Sequence, residues 1–309
     1  MRLPEAWKGR LRVPAIAAPM FLVSNPKLVA ACCKAGVVGT FPALNQRSTA
    51  GFVEWLDELD GTLGASDAPF GVNLIVHKTN PRLQADLAEV VKHRVPLVIT
   101  SLGAVQEVVD AVHSYGGIVF HDIVNARHAE KAAKAGVDGL IPVATGAGGH
   151  AGAINPFALI PEIRSRFEGY IALSGCIGSG AGIAAACALG ADFAYLGTRF
   201  IATQEAAAPE AYKQMLLDSS AADIVYTPAI SGIPASFLRA SIVKAGLDPE
   251  NLKHEGEIDL GTELSAGKAW KDIWSAGQGV GQIRDVPPAG ELCARLVREY
   301  DDTRRRLAA

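Results

Sequence analysis

The stretch Ala186-Cys187-Ala188-Leu189-Gly190-Ala191-Asp192 leads into the apolar run 193–197 and decides the fold class. It reads as a helix end, a glycine stop and the entry to a strand. The stretch Ala132-Ala133-Lys134-Ala135-Gly136-Val137-Asp138 repeats this pattern in the same register, ahead of the apolar run 139–143. Two copies of one helix-to-strand unit indicate a chain built from repeated β/α units.

Short apolar runs extend this pattern along the chain. They predict strands at 15–19, 37–40, 70–74, 97–100, 118–121, 139–143, 171–174 and 193–197. Each run is continuously apolar, as expected for parallel strands that are covered on both faces. Successive runs start 21 to 33 residues apart, which leaves room for a loop, a helix and a return loop. Eight such units favour a closed (β/α)8 TIM barrel over an open doubly wound sheet.

The pattern changes after the eighth strand. We predict the barrel over residues 1–206, a helical insertion over the barrel mouth at 207–268, and a return segment with a C-terminal helix at 269–309. The insertion is expected to be a helical excursion that packs over the site. The final segment is amphipathic and carries basic residues near its end, which is typical of a surface helix.

Composition excludes several classes of function. The chain has 309 residues, of which 49% are apolar and 20% charged, and its net charge is −3. This balance predicts an ordered core and argues against nucleic acid as a partner. The five cysteines lack a C-x-x-C spacing, no metal-ligand cluster is visible, and no apolar stretch is long enough for a bilayer. We therefore expect a cytoplasmic protein without a metal or a membrane partner, and we leave a homo-oligomer open.

A phosphate-binding signal follows the seventh and eighth predicted strands. The run Ser174-Gly175-Cys176-Ile177-Gly178-Ser179-Gly180 opens a helix, and Gly197-Thr198-Arg199 follows the last strand. Glycines let backbone N–H groups approach a ligand closely, and a helix N-terminus adds partial positive charge. The glycines could instead only form tight turns. Their presence in both loops, where barrels usually hold a phosphate, favours phosphate binding.

Histidines at the strand ends are the candidate acid–base groups. His150 lies in the glycine-rich loop 146–152 after the sixth predicted strand, where the neighbours leave room for a ligand. A histidine there can act as a general base or donate a hydrogen bond to an anion, although a solvated loop histidine is the simpler alternative. His121 ends the fifth strand, where it either lines the site or only satisfies its own loop.

Together these pieces resemble the nitronate monooxygenase family, formerly called 2-nitropropane dioxygenases, which are FMN-dependent TIM barrels. The matching pieces occur in the family's order at 18–20, 69–73, 146–152, 172–180, 188–192, 196–200 and 274–278. Singly each piece is weak, but the ordered set covers most of the chain and is specific. The resemblance implies oxidation of alkyl nitronates, and of neutral nitroalkanes, with O2 to a carbonyl compound and nitrite.

The resemblance also implies residue roles. His150 would be the catalytic base, which removes the α-proton of a neutral nitroalkane. The cofactor-binding residues would be Ala18, Pro19, Met20, Asn73, His121, Gly149, Ser174, Gly175, Gly178, Gly197, Thr198, Ser275, Gly277 and Gln278. Within this set, residues 18–20 and 73 would lie along the flavin ring, the glycines after strands seven and eight would hold its phosphate, and residues 275–278 would close over it.

Two alternatives remain beside this function. Many relatives carry an acidic residue before the Gly-Gly-His sequence, whereas Thr145-Gly146-Ala147 is uncharged here. Because this loop helps to define the substrate pocket, the chain departs from the family's pattern at the site that selects the substrate. Related barrels include NAD(P)H-using reductases of quinones or of enoyl-acyl carrier protein, which would use the same FMN site. A barrel that binds a phosphate-bearing ligand without catalysis is the second alternative.

Overall fold

The computed structural model describes residues 2–77, 79–103, 106–252 and 273–309. Eight parallel strands close into a barrel in sequence order, which confirms the predicted (β/α)8 fold. The barrel strands are β1 Ala15–Ala17, β2 Val38–Pro42, β3 Phe70–Ile75, β4 Leu97–Ser101, β5 Ile118–Ile123, β6 Gly139–Pro142, β8 Tyr170–Ser174 and β9 Phe193–Leu196. A two-residue strand outside the barrel, Gly149–His150, is β7. The barrel closes where Ile16 pairs with Tyr195.

Most of the helices that follow the barrel strands begin at a side-chain cap. The Asn25 side chain accepts a hydrogen bond from the Leu28 amide, and Pro26 takes the first helical position. Such caps satisfy backbone donors that the helix itself leaves open. The helices of the barrel are α1 Pro26–Lys34, α2 Thr49–Thr62, α3 Leu83–Lys92, α4 Gln106–His113, α5 Ala126–Lys134, α6 Pro156–Arg164, α7 Gly180–Ala188 and the short α8 Thr198–Ile201.

Successive side chains of each strand point alternately into the barrel and toward the helices, so they form two separate cores. Inward residues such as Ile16, Ile99 and Phe120 fill the barrel, and the outward residues pack under the helices. Trp7 lies inside the barrel against Phe193, with ring centroids 5.6 Å apart in an edge-to-face arrangement. Because the lower interior is filled with aromatic and branched side chains, the barrel is solid there. At the opposite end, the cavity lining includes polar side chains such as Asn73 and Asp122.

The chain after the barrel differs in part from the helical excursion that we predicted. It contains α9 Glu210–Leu217 and α10 Arg239–Lys244, but between them lie two antiparallel strands, β10 Ile224–Thr227 and β11 Ala235–Leu238. Both strand segments are short and flanked by prolines, Pro228 and Pro234. A hairpin this short gains its stability from a third strand, which is supplied by β7. The end of the predicted insertion, 253–268, lies outside the described residues.

The C-terminal helix α11, Ala289–Ala308, packs against α7 and α1. Its buried face includes Leu292, Leu296 and Tyr300. Within the four described ranges, none of the helices combines the length and the apolar character that a bilayer crossing requires.

Candidate active site

The C-terminal ends of the barrel strands open into one cavity of about 1150 Å³. Pockets of about 300–1,000 Å³ hold a drug-sized ligand, so this cavity has room for a cofactor together with a small substrate. Its lining includes Ala18, Pro19, Met20, Asn73, His121, Gly149, His150, Ser174, Gly175, Gly178, Gly197, Thr198, Ser275 and Gly277. The structure therefore brings together all but one of the residues that we singled out from the sequence.

Gln278 is the exception, because it lies beside the cavity wall. Its backbone amide donates to the Gly146 carbonyl at 2.8 Å. Its side-chain Oε1 lies 3.9 Å from the Cys176 sulfur. Gln278 thus links the return segment to the loops after β6 and β8.

The loop that carries His150 is fastened to the return segment. The Gly149 amide donates to the Ser275 hydroxyl at 2.6 Å, and that hydroxyl donates to the Ser236 carbonyl at 2.7 Å. The Tyr212 hydroxyl donates to the carbonyl of the same Ser275. One serine therefore joins β7, β11 and α9 at the cavity wall.

Close backbone packing explains two of the glycines in this region. A Cβ added at Gly148 would lie 2.8 Å from the Gly277 nitrogen, and one added at Gly277 would lie 2.6 Å from the Gly146 oxygen. Real Cβ atoms do not approach backbone atoms so closely. Gly149 differs, because it has a φ of 70° and a Cβ added there would meet no atom within 4 Å, so this position faces open space.

His150 occupies the cavity wall at the end of β7. Its backbone pairs with Ala235 of β11, which fixes the direction of the residue. The surrounding protein lowers the pKa of its imidazole below the ordinary value of 6.5. The side chain is itself exposed toward the cavity, and desolvation by the surrounding cavity wall has this effect because it disfavours the charged form. The imidazole is therefore neutral at neutral pH and can accept a proton.

The glycine-rich loop after β8 turns sharply between the strand and α7. Gly175 has a φ of 135° and Cys176 a φ of 59°, which turn the chain sharply before α7. Ser179 caps α7, and the Gly180 amide donates to the Glu299 carboxylate at 2.7 Å. The Glu299 carboxylate therefore accepts from the Gly180 amide and the Ser179 hydroxyl from the Gly182 amide, so these two amides at the start of α7 already have partners within the protein.

Thr198 begins α8 directly after β9, the barrel strand that pairs with β8. Its Oγ1 accepts a hydrogen bond from the Gly277 amide at 2.9 Å, which leaves the hydroxyl hydrogen for another partner. A Cβ added at Gly197 would be in ordinary van der Waals contact with Ala18 and Met20, at 3.8–3.9 Å.

His121 and Asp122 lie on opposite faces of β5. Val119 and Ile123 belong to the outer core and Phe120 to the inner one, so His121 faces outward and Asp122 inward. His121 Nδ1 lies 2.8 Å from the Thr100 hydroxyl, and burial lowers the pKa of the imidazole to about 4. His121 reaches the cavity only at its edge, as a neutral group.

A chain of polar side chains lines the inner wall at the mouth. The Asn73 amide nitrogen lies 2.7 Å from Ser101 Oγ, which lies 2.5 Å from Asp122 Oδ2. Burial raises the pKa of Asp122 to about 6 against the opposing effect of the Ser101 hydrogen bond. Burial, followed by the charge of Asp122, raises the pKa of Tyr195 well above its ordinary value.

With this geometry established, comparison with known proteins identifies the family. A family model described as nitronate monooxygenase matches residues 81–299, which is more than half of the chain. The chain belongs to the nitronate monooxygenase family. The protein is accordingly an oxidoreductase.

Individual relatives agree with this membership. The chain is 30% identical to the nitronate monooxygenase of Paraburkholderia phytofirmans, over 93% of this chain and 92% of that protein. It is 28% identical to a dehydrogenase of a hydroxy-methyl-oxo-octahydro-indene-carboxyl-CoA from Rhodococcus jostii, over 79% of this chain but only 66% of that enzyme.

Solved structures show the same architecture. The nitroalkane oxidase of Streptomyces ansochromogenes superposes with a TM-score of 0.83 at 27% identity, over 98% of this chain and 100% of that one. FabK of Thermotoga maritima superposes with a TM-score of 0.80 at 24% identity, over 97% and 96% of the two chains, which shows the fold alone.

Two features of this cavity were not selected from the sequence. Ser101 and Asp122 stood at strand ends, but the partners that make them a unit are visible only in three dimensions. Tyr212 and Trp274 stack at 4.9 Å with an interplanar angle of 12°, from segments far apart in the chain. Inward alternation at a strand end is the sequence signal that would have singled out Asp122.

Proposed function

We propose that the protein binds FMN in this cavity and oxidises alkyl nitronates with O2 to a carbonyl compound and nitrite. Neutral nitroalkanes are substrates as well, with His150 as the base that removes their α-proton. The observation that carries this proposal is that His150 lines the same cavity as the two glycine-rich loops after β8 and β9.

The residues of the cavity fit FMN on three counts. Gly175 and Gly197 place the loops after β8 and β9 in the cavity lining, and the Thr198 hydroxyl hydrogen is available to an anion. At the mouth, the Ser101 hydroxyl offers a polar contact to a ring system with carbonyl and nitrogen acceptors, and the Asn73 amide oxygen offers an acceptor to its N–H group. Fastening of Gly149 to Ser275 holds the remaining wall in place. FMN, once bound, supplies the electron acceptor that the side chains lack.

His150 carries out the proton step on a neutral nitroalkane. Since its pKa is lowered, the imidazole enters the reaction in its basic form and takes the α-proton of the substrate. The resulting imidazolium then offers a positive partner to the nitronate oxygens. A nitronate supplied as such needs no proton removed, so the base role of His150 does not apply to it.

The first experiment is the absorbance spectrum of the purified protein with FMN, followed by anaerobic addition of a nitronate or, separately, of NADH. Bleaching of the flavin band by the nitronate supports the proposal. Bleaching by NADH alone would assign the protein to the reductases, and failure to bind FMN would overturn the cofactor assignment. A preparation that binds flavin without reduction by either donor would favour a non-catalytic barrel.

The second experiment tests His150 directly. His150→Asn should retain FMN and lower kcat/KM for nitroethane by about 10²–10⁴, the usual contribution of a general base, with ethylnitronate much less affected. His113→Asn is the control, because His113 ends α4 at the opposite end of the barrel, paired with Asp138. Equal losses on both substrates would contradict the base assignment.

A further inference from the structure

Asn73, Ser101 and Asp122 form a chain of hydrogen-bonded side chains at the barrel mouth. The direction of the hydrogen bond from Asn73 follows from its two partners. Asn73 Nδ2 donates to the Ile99 carbonyl at 3.2 Å and to Ser101 Oγ at 2.7 Å. A carbonyl oxygen can only accept, so the amide nitrogen must face it, and both amide hydrogens are used. Ser101 Oγ therefore accepts one hydrogen bond from Asn73, and its own hydrogen remains to be placed.

Asp122 decides where that hydrogen goes. Asp122 Oδ2 lies 2.5 Å from Ser101 Oγ, whereas Asp122 Oδ1 is buried and has no hydrogen-bond partner among the described residues. A carboxylate would leave a charged oxygen unsatisfied, which is costly. A carboxylic acid with its proton on Oδ2 leaves Oδ1 as a neutral carbonyl oxygen, the kind of buried group that proteins most often leave unpaired.

In the acid form, Asp122 Oδ2 donates to Ser101 Oγ, which then accepts two hydrogen bonds. The hydroxyl hydrogen of Ser101 must turn away from both donors, and Ser101 lines the cavity. In the carboxylate form the same hydrogen returns to Asp122 Oδ2, and the cavity loses this donor. One proton on Asp122 thus decides whether Ser101 offers the ligand a hydrogen or only a lone pair.

We infer that Asp122 is a positioning residue that, as a carboxylic acid, turns the Ser101 hydroxyl to donate a hydrogen bond to an acceptor atom on the ring of the bound flavin. This inference rests on the proposed function, since it takes FMN as the ligand. Asp122 acts through Ser101, and Ser101 is the residue that contacts the ring.

The groups around Asp122 do not supply a compensating charge to its carboxylate. Toward it face Asn73 from β3, Ser101 from β4 and Tyr195 from β9, of which only Tyr195 titrates, with a raised pKa. Burial is the larger influence on the pKa of Asp122. The other titratable groups that line the cavity are His121, His128, Lys131, His150, Cys176, Arg199, Tyr212 and Tyr226.

The test is a fluorescence titration of the flavin-free protein with FMN at about pH 5 and about pH 8, on either side of the Asp122 pKa of about 6. Asp122→Asn is the matched variant, because its amide can donate to Ser101 at either pH. At the lower pH the Kd values of wild type and D122N should agree. At the higher pH wild type should bind about tenfold more weakly than D122N, as expected for loss of one hydrogen bond.

Taking the ratio of the two Kd values cancels the ionisation of the FMN phosphate, which both proteins experience equally. Ser101→Ala should bind about tenfold more weakly than D122N at both pH values, because the donor itself is gone. A wild-type to D122N ratio that does not change with pH, or an S101A variant that binds like D122N, would overturn the inference. Complete failure of wild type to bind FMN would instead contradict the proposed function, on which this inference rests.

Infrared difference spectra of the flavin-free protein give a readout that needs no ligand. Wild type minus D122N should show a protonated carboxyl band at about pH 5 that disappears as the pH rises through about 6. Absence of this band at the lower pH would overturn the acid form of Asp122, whatever the result with FMN.

Discussion

The Gly149 amide donates a hydrogen bond of 2.6 Å to the hydroxyl of Ser275, a residue 126 positions further along the chain. This contact holds the residue next to His150 against the return segment. Because Ser275 also donates to the Ser236 carbonyl, its hydroxyl is both acceptor and donor at one junction. The position of the proposed base therefore depends on chain segments far from its own loop.

Ser275→Ala should lower both stability and activity. The substitution leaves the Gly149 amide and the Ser236 carbonyl without their partner, so we expect a loss of about 1–3 kcal/mol in the free energy of unfolding. Denaturant unfolding measures this loss. Ser114→Ala, which removes an exposed hydroxyl bound to the Ala111 carbonyl, is the control and should change stability by less than about 0.5 kcal/mol. Equal losses of unfolding free energy in the two variants would contradict the role of Ser275 in joining these segments.

Gly148→Ala should destabilise the protein, whereas Gly61→Ala should stabilise it. At Gly148 the new Cβ would lie 2.8 Å from the Gly277 nitrogen, and overpacking of this kind costs about 1–3 kcal/mol. At Gly61, within α2, nothing lies within 4 Å, so alanine should stabilise the helix by about 0.5–1 kcal/mol. Thermal unfolding of both variants distinguishes the two cases. A stabilising alanine at position 148 would show that the loop and the return segment do not pack as described.

The Asp285 carboxylate holds Arg199 and Arg295 at 2.7 and 2.6 Å. The Arg295 hydrogen bond, ahead of Arg199, lowers the pKa of Asp285, so the carboxylate stabilises the fold above its unfolded pKa and that contribution is lost as the pH falls. Because Asp285 is partly exposed, we expect Asp285→Asn to cost only about 1–2 kcal/mol at pH 7. The difference from wild type should shrink below about pH 4.

Urea unfolding at several pH values measures this dependence. Asp302→Asn is the control, because Asp302 pairs with Arg305 on the exposed surface of α11 and such pairs contribute about 0–1 kcal/mol. A difference between Asp285→Asn and wild type that persists unchanged in acid would rule out the ion pairs as its source.

The pH profile of kcat/KM for a neutral nitroalkane should rise and then level off, with its midpoint below 6.5, because burial lowers the pKa of His150 and the basic form is the active one. Ethylnitronate should lack this rising limb, since its proton is already removed. Steady-state rates on both substrates over the acid range make the comparison. A rising limb that survives in His150→Asn would assign it to another group.

Much of this site was accessible from patterns along the chain. The glycines at 175, 178 and 197 and the histidine at 150 stood out because parallel strands deliver the loops that follow them to one end of a barrel, and the structure gathers these residues around one cavity. His121 and Asp122 show where such reasoning stops. They are adjacent in sequence, and only the strand's alternation relative to the barrel axis sends one outward and the other inward.

The order and the type of the barrel units can be inferred from the amino-acid chain alone, because continuous apolar runs and glycine stops act locally through burial and backbone conformation. The pairing of β7 with β11, the hydrogen bond between Gly149 and Ser275, and the contacts of Ser101 with Asn73 and Asp122 depend on the completed fold. Each of these contacts joins side chains or strands whose pairing depends on closure of the barrel. A hydrogen bond between distant residues leaves no periodic trace in the chain, since its strength depends on the distance and angle that the completed fold imposes.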